Sequence, residues 1–481
     1  MIEAKMLIGG ELVDSESGRR LNVVNPSNEE VLGTIPQASE KDVDNAVRAA
    51  EGARSAWQAL DIDGRAAYIL KTAKLLDAAA EEIAELEASD TGHTIRRVRG
   101  DVSAAAWFLR YYSGLGWMVK GETIPATPTG YHLTVRQPYG IAAKIVPFNH
   151  PIMFASRLAA PLIAGNAVIM KAPREASLSV LRFAEICAAV FPPGVVNIIS
   201  GTGDEAGDAI VRHPKIKRIG FIGSEQTGLR IQESAAKAGI VKHLTLELGG
   251  KNPMIVFPDA DADKAFSGII GGMSFSWSGQ SCGSLSRLFL HKDIYDKGVE
   301  KIASMINALK VGNPLDETSD MGPIIHKRQY EKVLHYIETG REDGARLIAG
   351  GARPDGEEFE KGYWVRPTAY ADVTDDMRLF NEEVFGPVLS VIRWSDEDEV
   401  IARANKLNLG LTGSVWSNDL NRALRVARQI ESGYIWVNAV SHHYKAVPFG
   451  GYKNSGIGRE EGVDEIISYT EEKSINVILN D

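Results

Sequence analysis

Apolar positions recur at helical spacing through residues 40–120, then give way to short apolar runs separated by amphipathic stretches. In KDVDNAVRAAEGARSAWQAL, Val43, Ala46, Val47 and Ala50 share one face, and Ser39 with Asp42 reads as a capping pair ahead of them. The period continues through RAAYILKTAKLLDAAAEEIAELEA to about Ala88, and DVSAAAWFLRYYSGLGWMV follows. Near Gly121 the texture changes, and YHLTVRQPYGIAAKIVPF predicts two strands around the turn Pro138-Tyr139-Gly140. After that NAVIMK, VVNIIS, KRIGFIG and KHLTLEL read as strands, with ASLSVLRFAEICAAVF, GDEAGDAIVRH and EQTGLRIQESAAKAG as helices between them. A second series follows: PMIVF, RLFLHK, ARLIAGG, VLSVIRW, GSVWS and YIWVN as strands, with helices from about Asp261 and Asp293 and near Asp396 and Asp419. Alternation of this kind predicts an α/β fold of two doubly wound, parallel-sheet lobes covered by helices on both faces. The lobes should meet near Gly249-Gly250, and ligands should lie at the ends of the parallel strands.

Composition narrows the class. The 481 residues carry 53 Lys and Arg against 63 Asp and Glu, a formal charge of −10, which argues against a nucleic-acid partner. Two cysteines, Cys187 and Cys282, exclude a disulfide framework and any Cys-rich zinc or iron–sulfur site; no metal is expected. The longest apolar stretch, Ile152 to Met170, is broken by Arg157, Pro161 and Gly165, so no membrane span is expected. The first residues lack the apolar run of a secretory signal, and the expectation is a cytoplasmic enzyme or binding protein.

Candidate chemistry lies at punctuated places. Cys282 sits in WSGQSCGSLSR among small residues that leave room for a substrate, whereas Cys187 lies on an amphipathic helix and reads as core. Glu247 ends the apolar strand LTLEL before two glycines; it is either a base for activating water or a solvated or ion-paired strand end. Asn149, in the proline-bounded PFNHP, offers an amide donor to an oxyanion or simply serves the turn. FIGSEQTG places Gly223 and Ser224 at a strand-to-helix turn where backbone N–H groups could face a phosphate. Lys171 ends NAVIMK, and EEVFGP and PFGGYKNSGIGRE are loops with no assignment of their own.

Taken in order between residues 147 and 456, PFNHP, IMKAP, FIGSEQTG, LELGGK, GQSC, EEVFGP, WVN and PFGGYKNSG resemble the aldehyde dehydrogenase superfamily. The resemblance implies a Rossmann-like cofactor domain (1–119 and 136–249), a catalytic domain (250–448), a return segment (449–464) and a β oligomerisation arm (120–135 and 465–481). By the same resemblance Cys282 is the nucleophile, and Asn149 with the Cys282 N–H holds the oxyanion. Glu247 activates the water that hydrolyses the thioester. Glu471 in YTEEK is similar to a proton-relay residue of some members, or is a surface charge. The resemblance also implies that NAD or NADP is bound. Lys171 would meet the adenine ribose, Gly223 and Ser224 the pyrophosphate, and Glu383 and Phe385 the nicotinamide riboside. Ile145, Phe148 and Gly203 would lie nearby. Members that use NAD commonly carry Glu where this chain has Arg174; a guanidinium there suits a 2′-phosphate, so NADP use is expected unless Arg174 points to solvent.

The pocket positions of the family map to His150, Phe154, Arg157, Trp277, Ser281, His443 and Phe449. Arg157 would pair with a substrate carboxylate or phenolate, or else make an internal ion pair. An aromatic or polar aldehyde, or a short semialdehyde, is the expected substrate, and the arm implies a homodimer or homotetramer. Three other readings stand beside this one: a CoA-acylating relative, a cysteine hydrolase with a base such as His443, and a nucleotide-binding scaffold without activity.

Overall fold

The structure, a computed structural model, describes residues 1–479. One sheet has the strand order Gly456–Ile457, His243–Glu247, Arg218–Ile222, Ile141–Ile145, Ala167–Lys171, Val196–Ile199, Met6–Ile8 and Glu11–Val13. Its central strands, from His243–Glu247 to Val196–Ile199, are parallel, and antiparallel strands close both edges. IAAKI, AVIMK and VNII are buried at every position, as parallel strands covered on both faces must be. A second sheet runs Arg346–Ala349, Thr368–Ala371, Val388–Trp394, Arg287–His291, Pro253–Val256, Thr412–Trp416 and Tyr434–Val437, parallel except for the first strand. The chain is an α/β protein with two such sheets. Thr368–Ala371, sequence TAYA, escapes the hydrophobic pattern because it is short and rich in small residues.

Local rules account for most boundaries. Ser39 caps the helix Glu40–Ala59 through a reciprocal pair with Asp42, and Asp261, Asp396 and Asp419 cap the helices that follow them. Asp293 instead lies inside Lys292–Asn307, whose cap is His291. The helical period that runs toward Ala88 is interrupted at Ala79, giving Ile62–Ala78 and Ala80–Thr91. GDEAGDAIVRH opens with a wide turn over Gly203–Gly207 and becomes α-helical only at Asp208–Arg212.

The strands around Pro138-Tyr139-Gly140 form, but they do not pair with each other. Ile141–Ile145 enters the first sheet, and Gly130–Pro138 pairs with Thr470–Ile478 and Thr123–Ile124 in a separate three-stranded arm. Burial explains the split: the first strand is buried throughout, while the arm strand is buried only at Thr134. Tyr131, Ile475, Val477 and Ile478 leave apolar surface exposed on the arm.

The first sheet ends at Glu247, the second begins at Pro253, and Leu248 to Asn252 cross between them. Glu247 and Lys171 thus stand at the carboxyl ends of parallel strands, where an open α/β sheet forms its crevice. No helix among the described residues is long and apolar enough to cross a membrane.

Candidate active site

Two cavities, of about 390 and 610 Å3, meet at a shared wall made by Ile222, Glu247 and Cys282. The larger is lined by Ile145, Phe148, Lys171, Arg174, Gly203, Gly223, Ser224, Glu383 and Phe385, together with Asn149. The smaller is lined by His150, Phe154, Arg157, Trp277, Ser281, His443 and Phe449. Residues far apart in sequence therefore converge on one sulfur and one carboxyl. Cys187 is wholly buried in the core around the first sheet.

The loop carrying Cys282 is held from several sides. Asn252 Nδ2 donates to the carbonyls of Cys282 (2.7 Å) and Ser284 (2.9 Å), and its Oδ1 accepts from the Thr412 N–H (3.0 Å). Ser278 Oγ donates to the Gly322 and Pro323 carbonyls, both at 3.0 Å. Ser274 and Ser278 adopt left-handed backbone, with φ of 54° and 53°, an arrangement that this bonding must hold in place. Gly279 is at φ +67°, and a Cβ there would lie 2.3 Å from the Gly386 backbone, so the Cys loop and EEVFGP pack main chain to main chain. Burial first, then the Glu247 and Glu383 carboxyls, push the Cys282 thiol up to about 12. A thiol held this high stays protonated near neutral pH and could act as a nucleophile only by giving up its proton.

Glu247 is 4% exposed, and neither carboxyl oxygen has a hydrogen-bond partner in the protein. Burial first, then the Glu460 charge, hold its carboxyl well above the usual range. Both of its oxygens are free, and the carboxyl lines the shared wall. Gly249 admits its neighbour: a Cβ there would meet Glu383 Oε2 at 2.3 Å, and the Gly250 N–H donates to Glu383 Oε1 at 2.9 Å.

Behind Glu247 lies a buried ion network. Arg157 Nη1 donates to Glu460 Oε2 and Nη2 to Glu461 Oε1, each at 2.6 Å, and the guanidinium lies 4.9 Å from the ring centres of Phe108 and Phe154. Lys144 Nζ donates to Glu465 Oε1 (2.8 Å) and to Glu460 Oε1 (3.5 Å), and Tyr112 donates to Glu465. Arg157 is 2% exposed. Of the two readings open for it, the internal ion pair is what the fold builds, and its charge is already matched.

In the larger cavity, Ser224 caps the helix Glu225–Ala236 and Gly223 precedes it. Lys171 is 4% exposed, its Nζ donates to the Ala172 carbonyl (3.0 Å), and burial brings it down to about 8. Phe148 and Phe385 stand edge to face, 5.8 Å apart, and Gln329 Nε2 donates to the Val384 and Phe385 carbonyls at 3.0 and 2.8 Å. A buried lysine, a helix N-terminus, a carboxyl and two aromatic edges along one cleft suit a dinucleotide. Arg174 lines this cleft with a side chain 55% exposed, and Glu175 lines it too, with Oε1 3.8 Å from the guanidinium.

Several participants lie beyond the residues picked out in the sequence. Asp101 Oδ2 receives His150 Nδ1 (2.7 Å) and the Trp277 indole N–H (3.3 Å), which fixes both rings in the smaller cavity. Trp107, Phe108, Trp436, Lys445, Glu460 and Glu461 also line it. Asp101 and Trp107 sit in a helix whose period shows only its core face. GREEG, which contains Glu460 and Glu461, carries a signal in its paired acids, but only the fold shows that they are buried. Glu471 lies on the exposed arm strand opposite Gln137 and lines neither cavity; the carboxylate beside Glu247 is Glu460.

Comparisons with known proteins agree with this geometry. The model of the aldehyde dehydrogenase family matches residues 12–475. Aldehyde dehydrogenase tropH of Talaromyces stipitatus is 45% identical over 468 residues, covering 96% of this chain and 90% of that protein. The NAD+ complex of an aldehyde dehydrogenase from Bacillus cereus superposes with a TM-score of 0.96 at 39% identity, covering 100% of this chain and 97% of that one. PnpE of Pseudomonas sp. WBC-3, in complex with nicotinamide adenine dinucleotide, superposes with a TM-score of 0.97 at 38% identity, covering 100% and 98%.

Proposed function

The chain belongs to the aldehyde dehydrogenase family and oxidises an aldehyde with NAD(P)+, and from that premise we propose that Cys282, Asn149 and Glu247 divide the chemistry between them. The single observation that carries this division is the shared wall: Cys282 and Glu247 each line both cavities.

The Cys282 S–H bond breaks as its sulfur adds to the aldehyde carbon, the proton passes to solvent through the smaller cavity, and the carbonyl oxygen becomes the oxyanion of a thiohemiacetal. The Asn149 amide and the Cys282 N–H donate to that oxygen, a kind of stabilisation worth about 3–4 kcal/mol where single donors have been removed elsewhere. Bound in the larger cavity, the nicotinamide supplies the hydride acceptor. Lys171, Gly223, Ser224, Glu383 and Phe385 hold that molecule, with Ile145, Phe148 and Gly203 around it. The thioester left on Cys282 is then hydrolysed by a water that Glu247 deprotonates, which frees the acid and the thiol. Its raised proton affinity makes it a stronger base than an ordinary carboxylate. A free base beside the sulfur supports hydrolysis rather than transfer to CoA.

The substrate is an aromatic or polar aldehyde or semialdehyde, as the rings of Phe154, Trp277 and Phe449 and the imidazoles of His150 and His443 favour. NADP is accepted beside NAD, since Arg174 is free to meet a 2′-phosphate while Glu175 on the same turn can meet ribose hydroxyls. The division into cofactor and catalytic domains at 249–250 is supported by the crossing between the two sheets. The exposed apolar arm supports a homodimer or homotetramer, and we place the enzyme in the cytoplasm. Reduction of NAD and NADP by an aldehyde panel tests the scheme with wild type beside Cys282→Ala and Asn149→Ala. Loss of all turnover in the first, a fall of about 10^2–10^3 in the second and turnover with both nucleotides are expected. Turnover surviving in Cys282→Ala overturns the scheme, and negligible NADP turnover overturns the role given to Arg174.

A further inference from the structure

The smaller cavity is aromatic along its length and ends, away from the sulfur, at a basic rim. Its lining runs from the wall shared with the cofactor cavity to Ser441, His443, Lys445 and Ala446, on a loop exposed over residues 442–447. Lys445 on that loop carries its Nζ 4.8 Å above the Trp107 ring, and no carboxylate lies within 4.0 Å of it among the described residues. The His443 ring stacks 4.6 Å from Phe449 and 5.8 Å from Tyr434, and its Nδ1 donates to Glu461 Oε1 at 3.0 Å. Its Nε2 makes no hydrogen bond to the described protein and is left for the cavity.

The acids around the cavity already have partners of their own. Glu460, Glu461 and Glu465 face Arg157 and Lys144, and Glu461 also accepts from His443 Nδ1. Asp101 is taken by His150 and Trp277. Lys445 is therefore an uncompensated cation at the open end of an aromatic slot, in a protein of net charge −10. Arg157, the other candidate for an anion, is spoken for.

We infer that Lys445 recognises an anionic oxygen group at the far end of a flat aldehyde, so that the substrate is a planar aldehyde carrying a carboxylate or phenolate distal to the carbon that Cys282 attacks. The ring lies among Trp107, Phe154 and Trp277, and the anion stops at the rim beside the ammonium. This rests on the dehydrogenase reading above, with the aldehyde at Cys282. A cationic far end would meet Lys445 and be disfavoured.

The test is kcat/KM for benzaldehyde, 4-carboxybenzaldehyde, 4-hydroxybenzaldehyde and hexanal. Wild type should prefer at least one anionic arene over benzaldehyde by about tenfold or more. The carboxylate and phenolate arms identify which anion the rim holds. Lys445→Gln should erase about tenfold of that ratio through KM, Lys445→Arg should keep it, and added salt should narrow it in wild type. Benzaldehyde and hexanal turned over with no preference for either anion, or a Lys445→Gln effect equal on all arenes, overturns the inference alone. Turnover of none of the aldehydes overturns it together with the dehydrogenase scheme.

Discussion

Replacing Glu247 by glutamine keeps the shape of the side chain and removes its ability to take a proton. The structure sets the size of the effect. Neither Glu247 oxygen has another partner, and Glu460, the carboxylate whose charge bears most on it, is tied to Arg157 and Lys144, so it does not stand ready to substitute. The whole contribution of a general base should be lost, about 10^2–10^4 in steady-state rate, or about 3–5 kcal/mol of barrier. Acylation does not use Glu247 in this scheme, so the first turnover should survive. Rapid mixing with aldehyde and nicotinamide nucleotide should give a burst of reduced cofactor close to one per active site, then a slow phase. Intact-mass measurement should find the acyl group on Cys282. The same variant carries a thermodynamic signature. Glu247 holds its proton more tightly folded than unfolded, so its carboxyl favours the folded state below the ordinary carboxylate range, and that advantage is lost as pH rises through the folded value. Glutamine has no proton to lose, so thermal unfolding of Glu247→Gln and wild type should diverge as pH rises, with the variant the more stable. A steady-state rate within about tenfold of wild type, or no acyl-enzyme, refutes the assignment of Glu247 as the base.

Arg157→Met leaves Glu460 and Glu461 buried with one matched charge fewer, and urea unfolding at neutral pH should show a loss of about 3–5 kcal/mol; a loss under about 1 kcal/mol would mean that Lys144 and His443 suffice. In wild type the Glu461 carboxyl, held down to about 2 by His443 and Arg157 against the cost of burial, contributes stability in full above its ordinary value of 4.5 and loses it as pH falls from there toward 2. Acid titration of the folded signal should place a transition in that window. Lys171 loses its charge at about 8, so cofactor affinity measured by nucleotide fluorescence should weaken between pH 7 and 9; in Lys171→Met it should be weaker throughout and flat across that range, and a flat wild-type profile would remove charge from the role of Lys171.

Much of this protein is written in local pattern. The alternation of apolar runs and amphipathic helices fixes the α/β class, because strands buried on both faces need near-continuous hydrophobic residues and each crossover helix needs one apolar stripe. Ser39, Asp261, Asp396 and Asp419 mark helix starts because a cap acts within one turn of its own residue. Glu247, Lys171, Asn149, Gly223 and Ser224 draw attention because each sits at a strand end or turn, and Cys282 because small residues surround it, whereas Glu383 and Phe385 are picked out only by the family resemblance.

What the tertiary structure alone decides is partnership. Whether Arg157 faces a substrate or Glu460, whether the acid near Glu247 is Glu471 or Glu460, and whether Gly130–Pro138 folds back on Ile141–Ile145 or joins the arm all depend on residues hundreds of positions away. The physical reason is that a buried charge takes its sense from its neighbours. Arg157 and Glu460 are 303 residues apart, and nothing in the spacing of either records that they will share one desolvated site 2.6 Å apart.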